Sequence, residues 1–104
     1  MEQAVIVHLR LCDAGFGTLE ERKALLILQD QMHEAIVKNS VGVFDGDELG
    51  QGECVIFMYG PDANLLYDAI EPLLKSNPVA SDGFAIKRYG KADDASVLND
   101  RVTW

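Results

Sequence analysis

The most constraining feature of the sequence is an unbroken apolar run, Cys54–Tyr59, that follows an acidic, glycine-rich stretch. The run has the length of one strand, and its lack of polar alternation predicts that both faces of that strand are covered. Val41–Phe44 is also β-prone, and the intervening Asp45-Gly46 is a turn dipeptide because glycine adopts positive φ without steric cost. The sequence therefore predicts a β-hairpin with 54–59 as a central strand.

The acidic residues of this hairpin are Asp45, Asp47, Glu48 and Glu53. We expect the connection from Phe44 to Cys54 to be a loop longer than a two-residue turn, with Gly50 and Gly52 marking a bulge or a flexible tip. The loop begins like a calcium loop, D-x-D-x-x-G, but position twelve is not the required glutamate and no helix enters it. We assign no metal ligands, and interpret the cluster as a solvated loop or a contact patch for a basic protein, with a cation site as a third alternative.

A strand and a helix precede the hairpin. Ala4–Leu11 alternates as a strand whose inward set is Val5, Val7, Leu9 and Leu11. Thr18 and Glu21 form a capping box that begins a helix. We expect this helix to end near Lys38-Asn39, with Asn39 in the left-handed cap.

A second helix follows the hairpin. Pro61 is expected at its first position, with Asp62 complementing the helix dipole. Its apolar residues recur at three- and four-residue spacing, so we expect the helix to pass Pro72 with a kink or a loosened last turn and to reach about Lys75.

The fourth strand is Phe84–Tyr89, and we expect Phe84 and Ile86 to face the core. The order β-α-β-β-α-β predicts an α+β fold, a ferredoxin-like sandwich in which both helices cover one face of a four-stranded antiparallel sheet. We treat 1–104 as one domain. Its last segment, 90–104, is expected to fray, to pack as an anchor or to add a short edge strand.

The predicted fold leaves one face of the sheet without helices. The residues expected there are Ile6, His8, Arg10, Lys87 and Tyr89. The third strand adds either Val55, Phe57 and Tyr59 or Cys54, Ile56 and Met58, and both sets are apolar. An exposed apolar stripe of this kind is a liability in a monomer, so we predict an isologous homodimer through this face, with a packed tail as the competing cover.

Composition excludes some function classes. The net charge of −8 opposes nonspecific binding to nucleic acid and to anionic membrane surfaces. No apolar run approaches the roughly 18 residues of a membrane span, and the acidic N-terminus leads directly into a strand, unlike a signal peptide. Cys12 and Cys54 lack the spacing of a zinc or redox motif, which favours two free, half-buried thiols in a reducing, cytoplasmic setting; a disulfide between them is the alternative if strands 1 and 3 align suitably.

The motifs of nucleotide and catalytic sites are missing from the sequence. There is no P-loop and no nucleophile elbow, His8 has no Cys or His at ligand spacing, and His33 is expected in the middle of a helix, so both histidines are interpreted as surface or interface residues. An RNA-recognition motif shares the predicted element order, but at 50–57 only Val55 and Phe57 match its third-strand signature. We therefore assign no cofactor, no catalytic residue and no nucleic-acid partner.

One resemblance covers residues 42–74. The hairpin D-G-D-E-L-G-Q-G-E followed by Y-G-P-D-A and a helix resembles small bacterial proteins of uncharacterised function that carry a D-G-x-E-x-G-x-G-E hairpin before Y-G-P-D-A. The resemblance implies a ferredoxin-like fold and a bacterial cytoplasmic source. It implies no established activity.

These observations favour a non-enzymatic module that regulates or binds proteins, homodimeric through the open face, with the acidic hairpin available to a basic partner. Two alternatives stay open. One is a small-ligand or metal-binding domain at the hairpin. The other is an enzyme acting through His8 and Arg10 in a cleft between subunits.

Overall fold

The computed structural model of the chain describes residues 3–104, so Met1 and Glu2 of the predicted domain lie outside the described residues. Its elements in chain order are β1 (Gln3–Arg10), α1 (Leu19–Lys38), β2 (Val43–Gly50), β3 (Glu53–Gly60), α2 (Ala63–Ser76), a 3₁₀ turn (Pro78–Ala80), β4 (Gly83–Arg88) and β5 (Asn99–Val102). None of the helices formed by residues 3–104 combines the length and the apolar character that crossing a membrane requires.

The strands form one antiparallel sheet in the order β2-β3-β1-β4-β5. The α+β class is confirmed, but the predicted number of four strands is wrong because the C-terminal segment adds β5 beside β4. The same segment also anchors the tail, since Trp104 Nε1 donates to the Ala80 carbonyl oxygen at 2.6 Å. Segment 90–104 therefore both adds an edge strand and packs as an anchor, which are two of the three outcomes expected for it.

The core lies between the helices and one face of the sheet. The inward set predicted for the first strand is confirmed, since Val5, Val7, Leu9 and Leu11 are all buried. The strand and helix residues that pack with them are Cys54, Ile56, Met58, Ala85, Leu28, Met32, Leu66 and Ile70. Burying aliphatic side chains of this size stabilises a fold by about 1.5–3 kcal/mol each, so this face accounts for much of the stability.

The predicted helix signals are largely confirmed. Thr18 accepts from the Glu21 amide while the Glu21 carboxylate accepts from the Thr18 amide, which is a capping box. The helix ends at Lys38, but the left-handed residue beyond it is Ser40 at φ 53°, whereas Asn39 stays right-handed. The Asn39 side chain instead donates to the Ala35 carbonyl oxygen at 2.7 Å.

Helix α2 begins at Ala63, two residues later than expected. Asp62 is its N-cap and accepts from the Asn64 and Leu65 amides, so Pro61 precedes the helix and does not occupy its first position. The helix passes Pro72 and ends at Ser76. A proline in the third turn is tolerated here because Leu74 beyond it is buried in the core.

The predicted long hairpin loop is wrong. Strand β2 runs to Gly50, and the turn is only Gln51-Gly52, at φ 54° and 80°. Positive φ at both central residues is the requirement of a type I′ turn. The bulge lies earlier, between Phe44 and Gly46, where the pairing with β3 shifts by one residue.

Candidate functional site: the open face of the sheet

The face of the sheet opposite the helices is lined mainly by apolar side chains. Its central residues are Ile6, Val55, Phe57, Tyr59, Phe84 and Ile86, and each is half-buried. Of the two sets left open for the third strand, the structure places Val55, Phe57 and Tyr59 outward, because Ile56 pairs with the core residue Val7. We refer to these six residues as the open-face apolar set.

The expectation that Phe84 and Ile86 face the core is wrong. The pairing of Ala85 with Val7 puts the small residue inward, where it is fully buried. Large side chains are not needed there because Val102, opposite Ala85, and Trp104 fill the core beside β4. The tail therefore reverses the face on which Phe84 and Ile86 lie.

Lys87 and Tyr89 were expected on the open face, and this placement is also wrong. Lys87 pairs with Val5 on the helix side, where its Nζ lies 4.8 Å from the Tyr67 ring centre. Both Lys87 and Tyr89 donate to Asn64 Oδ1 of α2, at 3.2 and 2.9 Å. They join the sheet to α2 and do not belong to the open face.

Three planar groups are layered at one end of the open face. The rings of His8 and Phe84 are stacked with centroids 4.6 Å apart and an angle of 9° between planes. The Arg101 guanidinium lies 3.8 Å from the centre of the Phe84 ring. Because β4 lies between β1 and β5, His8 and Arg101 approach Phe84 from opposite sides. Stacking of this kind fixes flat side chains on a sheet surface.

A concavity of about 560 Å³ adjoins this stack, within the range of small-molecule sites. Its lining includes His8, Arg10, Cys12, Glu53, Asp82 and Arg101. His8 Nδ1 lies 3.4 Å from Glu53 Oε2, and Arg10 Nε lies 3.6 Å from Asp82 Oδ2. The structure thus brings together the predicted His8, Arg10 and Glu53.

The cysteine at the wall of this concavity is not activated. Cys12 Sγ donates to Glu21 Oε1 at 2.9 Å, and this hydrogen bond raises the pKa of the thiol. The same bond lowers the pKa of Glu21. A nucleophilic cysteine requires the opposite, a thiolate favoured by neighbouring positive charge, so the contact with Glu21 does not activate Cys12.

The four acidic residues of the hairpin do not converge. Asp47 lies on the helix side, where its Oδ2 accepts from Gln29 Nε2 at 2.9 Å and from Cys54 Sγ at 3.6 Å. Burial, with Asp47 nearby, raises the pKa of Cys54 to about 12. Asp45 and Glu48 are exposed along β2, while Glu53 contacts His8 on the open face. Within residues 3–104, no three His, Cys, Asp or Glu side chains are gathered as a metal site would need.

The open face differs in charge from the rest of the molecule. Three of the four arginines in the sequence, Arg10, Arg88 and Arg101, lie on it. The carboxylates of Glu48, Glu53 and Asp82 balance them, so the net charge of −8 is carried by the remaining surface. The sequence reasoning missed Arg88, Arg101 and Phe84. The apolar residues Val102 and Trp104, two positions apart in the tail, were the signal for a fifth strand, which would have indicated the faces on which these three residues lie.

Comparison of the chain with protein-family models, with curated proteins and with solved structures finds no match. The resemblance of residues 42–74 to small bacterial proteins with the same hairpin stays a prediction.

Proposed function

We propose that this chain is a cytoplasmic bacterial module of the ferredoxin-like type, extended by a fifth strand, that works by binding protein through its open face and first of all binds a second copy of itself. The strand order β2-β3-β1-β4 supports the fold assignment, because it is the order that two consecutive right-handed βαβ units produce. The observation that carries the function is the composition of the open face.

Aromatic residues and arginine are enriched at the centres of protein interfaces, where other charges are depleted. The open face follows this pattern, with Phe57, Tyr59 and Phe84 among its apolar residues and Arg101 stacked beside them. The monomer gains little from these side chains, because each remains half-buried with no helix above it. A partner protein would complete their burial.

A second copy fits this face electrostatically. Two open faces, each with balanced charges, can meet without repulsion, whereas any contact through the helical surface would bring together the residues that carry −8. Sheet-on-sheet packing places the two sheets about 10 Å apart and both helical layers outermost. The proposed dimer therefore separates the acidic surfaces as far as the fold allows.

The size of the face sets the expected affinity. The five strands lie about 4.8 Å apart, and their length falls from roughly 26 Å in the eight-residue strands to about 13 Å in β5, so they present on the order of 500 Å² per protomer. Two such faces together bury on the order of 1,000 Å², just below the roughly 1,200 Å² at which stable specific interfaces start and within the range of weak, transient complexes. We therefore expect a reversible dimer whose population depends on concentration in the micromolar range.

Light scattering across roughly 10 µM to 1 mM tests the dimer, with mass expected to rise toward two copies. Phe57→Glu places a charge at the centre of the open face and is expected to hold the protein monomeric. Leu26→Glu, at an exposed leucine on α1, is the matched control and should leave association unchanged. Circular dichroism establishes that each variant is folded, and Tyr59→Glu replaces Phe57→Glu if the latter unfolds. A monomeric wild type at 1 mM, or equal masses for the two glutamate variants, contradicts the proposal.

The concavity beside His8 favours a second candidate function, the binding of a small molecule. The Glu53 contact at Nδ1 leaves Nε2 of His8 available to a ligand, and Arg101 presents its guanidinium at the same wall. This arrangement suits a small carboxylate, and an enzyme acting through His8 would use the same place. Melting temperatures measured with acetate and benzoate test it, with wild type compared to Arg101→Gln. A stabilisation that the variant retains, or none at all, counts against this candidate.

A further inference from the structure

The free edge of the sheet at β2 has an open row of backbone groups. Strand β2 pairs with β3 on one side, and among residues 3–104 no strand pairs with its other side. The backbone N–H and C=O groups of every second residue along Gly46–Gly50 therefore point away from the sheet. Such an edge is a template for an additional strand unless the protein blocks it.

The side of α1 nearest this edge is apolar and exposed. Leu19, Leu26, His33 and Val37 are spaced by seven, seven and four residues, so they lie on one side of the helix. The stack of His33 on Phe44, with ring centres 5.5 Å apart, shows that this side faces β2. We call these four residues the α1 flank.

Exposed apolar side chains concentrate around this edge. Leu19, Leu26 and Val37 are 54, 64 and 62% exposed. Phe16 is 62% exposed and lies against Gly50 at the end of β2, and Val43 at its beginning is 48% exposed. An apolar flank beside an open strand edge is the arrangement by which domains capture an extended peptide as an added strand.

The charges along the edge decide which strand it admits. Asp45, Asp47 and Glu48 are exposed on β2, and Asp30 and Glu34 are exposed on α1 beside His33, where Lys38 is the cation that lines the same hollow. Pairing β2 with β2 of a second copy would bring the acidic residues of the two strands together, and like charges across a strand pair are destabilising. The edge thus excludes this chain itself and is complementary to a basic segment.

We propose that β2 and the α1 flank form a docking groove for an extended basic segment of another protein, which joins the sheet as a sixth strand. Its apolar side chains pack on Leu26 and Val37 on the helix side, and the alternate positions carry lysine or arginine toward Glu48. This groove goes beyond the proposed self-association and uses different residues from the open-face apolar set.

The probe for this groove is a synthetic octapeptide of alternating lysine and valine, titrated into the labelled full chain and followed by backbone amide NMR. Saturable shifts are expected to centre on residues 46–50. A peptide with glutamate in place of lysine is expected to bind at least about tenfold more weakly, and Glu48→Lys to narrow that difference.

Two N-methylated peptides separate strand addition from simple charge attraction. Methylating alternate amides in one phase removes the donors that face β2, and methylating the other phase removes donors that face solvent. Strand addition predicts that only one of the two peptides loses binding, by at least about tenfold. Equal binding by both, shifts centred elsewhere or no saturable binding at millimolar peptide overturns the proposal.

The two glutamate variants distinguish this groove from the dimer. Leu26→Glu is expected to lose the peptide and keep the dimer, and Phe57→Glu to lose the dimer and keep the peptide. If Phe57→Glu abolished both, the peptide would be binding at the open face and the groove would be excluded. Failure of the dimer alone leaves the groove intact.

Discussion

The two faces of this sheet are built by the same alternation along the same strands, yet they carry different kinds of residues. The helix-covered face of β1 and β3 is aliphatic and fully buried, with Val7 and Ile56 paired at its centre. The open face one residue away carries Ile6, Phe57 and the stack of His8 on Phe84, all half-buried. Stability explains the first face, whereas the second has the composition of an interface. Because alternate residues of a strand point to opposite faces, the same strands can supply the core with one set of side chains and an interface with the other.

The largest expected contrast comes from the same substitution on both faces. Ile56→Ala opens a cavity in the core and should lower the free energy of unfolding by about 2–5 kcal/mol. Ile6→Ala removes the same atoms from the open face and should cost about 1 kcal/mol or less in dilute solution, because water already reaches that side chain. Urea denaturation at a few micromolar measures both, and equal costs would mean that the faces do not differ.

Asp47 tests whether the acidic hairpin belongs partly to the helix side. Asp47→Ala leaves the amide of Gln29, which is only 9% exposed, without its acceptor. An unpaired buried amide costs about 1–3 kcal/mol. Asp45→Ala, an exposed neighbour on the same strand, is the control and should stay within about 0.5 kcal/mol. Both aspartates are exposed, so similar losses from the two variants in urea denaturation would mean that the bond from Gln29 to Asp47 adds no stability.

Alkaline pH tests how completely the helix-covered face excludes water. The pKa of Cys54 is raised from 9.0 to about 12, so above pH 9 the unfolded chain releases this proton while the folded protein retains it. Stability should therefore fall as pH rises, by up to about 1.4 kcal/mol per unit. Comparing unfolding of wild type and Cys54→Ser from pH 9 to 10 isolates the effect, because the raised pKa of Tyr67 contributes to both proteins alike. Parallel pH profiles would show that Cys54 is hydrated.

The smallest expected effect concerns the layered groups of the open face. A double-mutant cycle of Arg101→Gln and Phe84→Leu should give a coupling of about 0.5–1 kcal/mol, the usual strength of an exposed cation–π contact. Measuring the cycle at low and at high protein concentration sharpens the comparison of faces, because a contact desolvated in a dimer couples more strongly. A coupling near zero at both concentrations would remove the stack as an organising element.

Local signals in the sequence predicted the helices and strands well. The features that the sequence did not predict depend on contacts between residues far apart in the chain. The Thr18–Glu21 capping box and the alternation of β1 depend on neighbouring residues, and both are confirmed. The phase of β4 depends on the tail: once Val102 and Trp104 fill the core, Ala85 turns inward and Phe84 turns outward. No periodicity within β4 contains that information.

The sheet face on which the candidate residues lie was predicted correctly for only some of them, for the same reason. Ile6, His8 and Arg10 lie on the open face as predicted, because the strongly apolar alternate residues of β1 fix its phase. Lys87 and Tyr89 were assigned to the wrong face because the predicted alternation of β4 was reversed. The hairpin was misjudged because aspartate and glycine favour turns, yet here a bulge and the bond from Gln29 to Asp47 keep the segment in a strand.

The central position of β1 in the sheet also determines when the sheet can form during synthesis on the ribosome. Among the strands of the sheet this one leaves the exit tunnel first, but its two neighbours start only at Glu53 and Gly83. Its apolar side must therefore remain incompletely paired in the nascent chain until β4 has been synthesised, and such distant pairings make folding slow. The strand at the centre of the folded sheet is therefore the one whose apolar side chains stay exposed longest during synthesis.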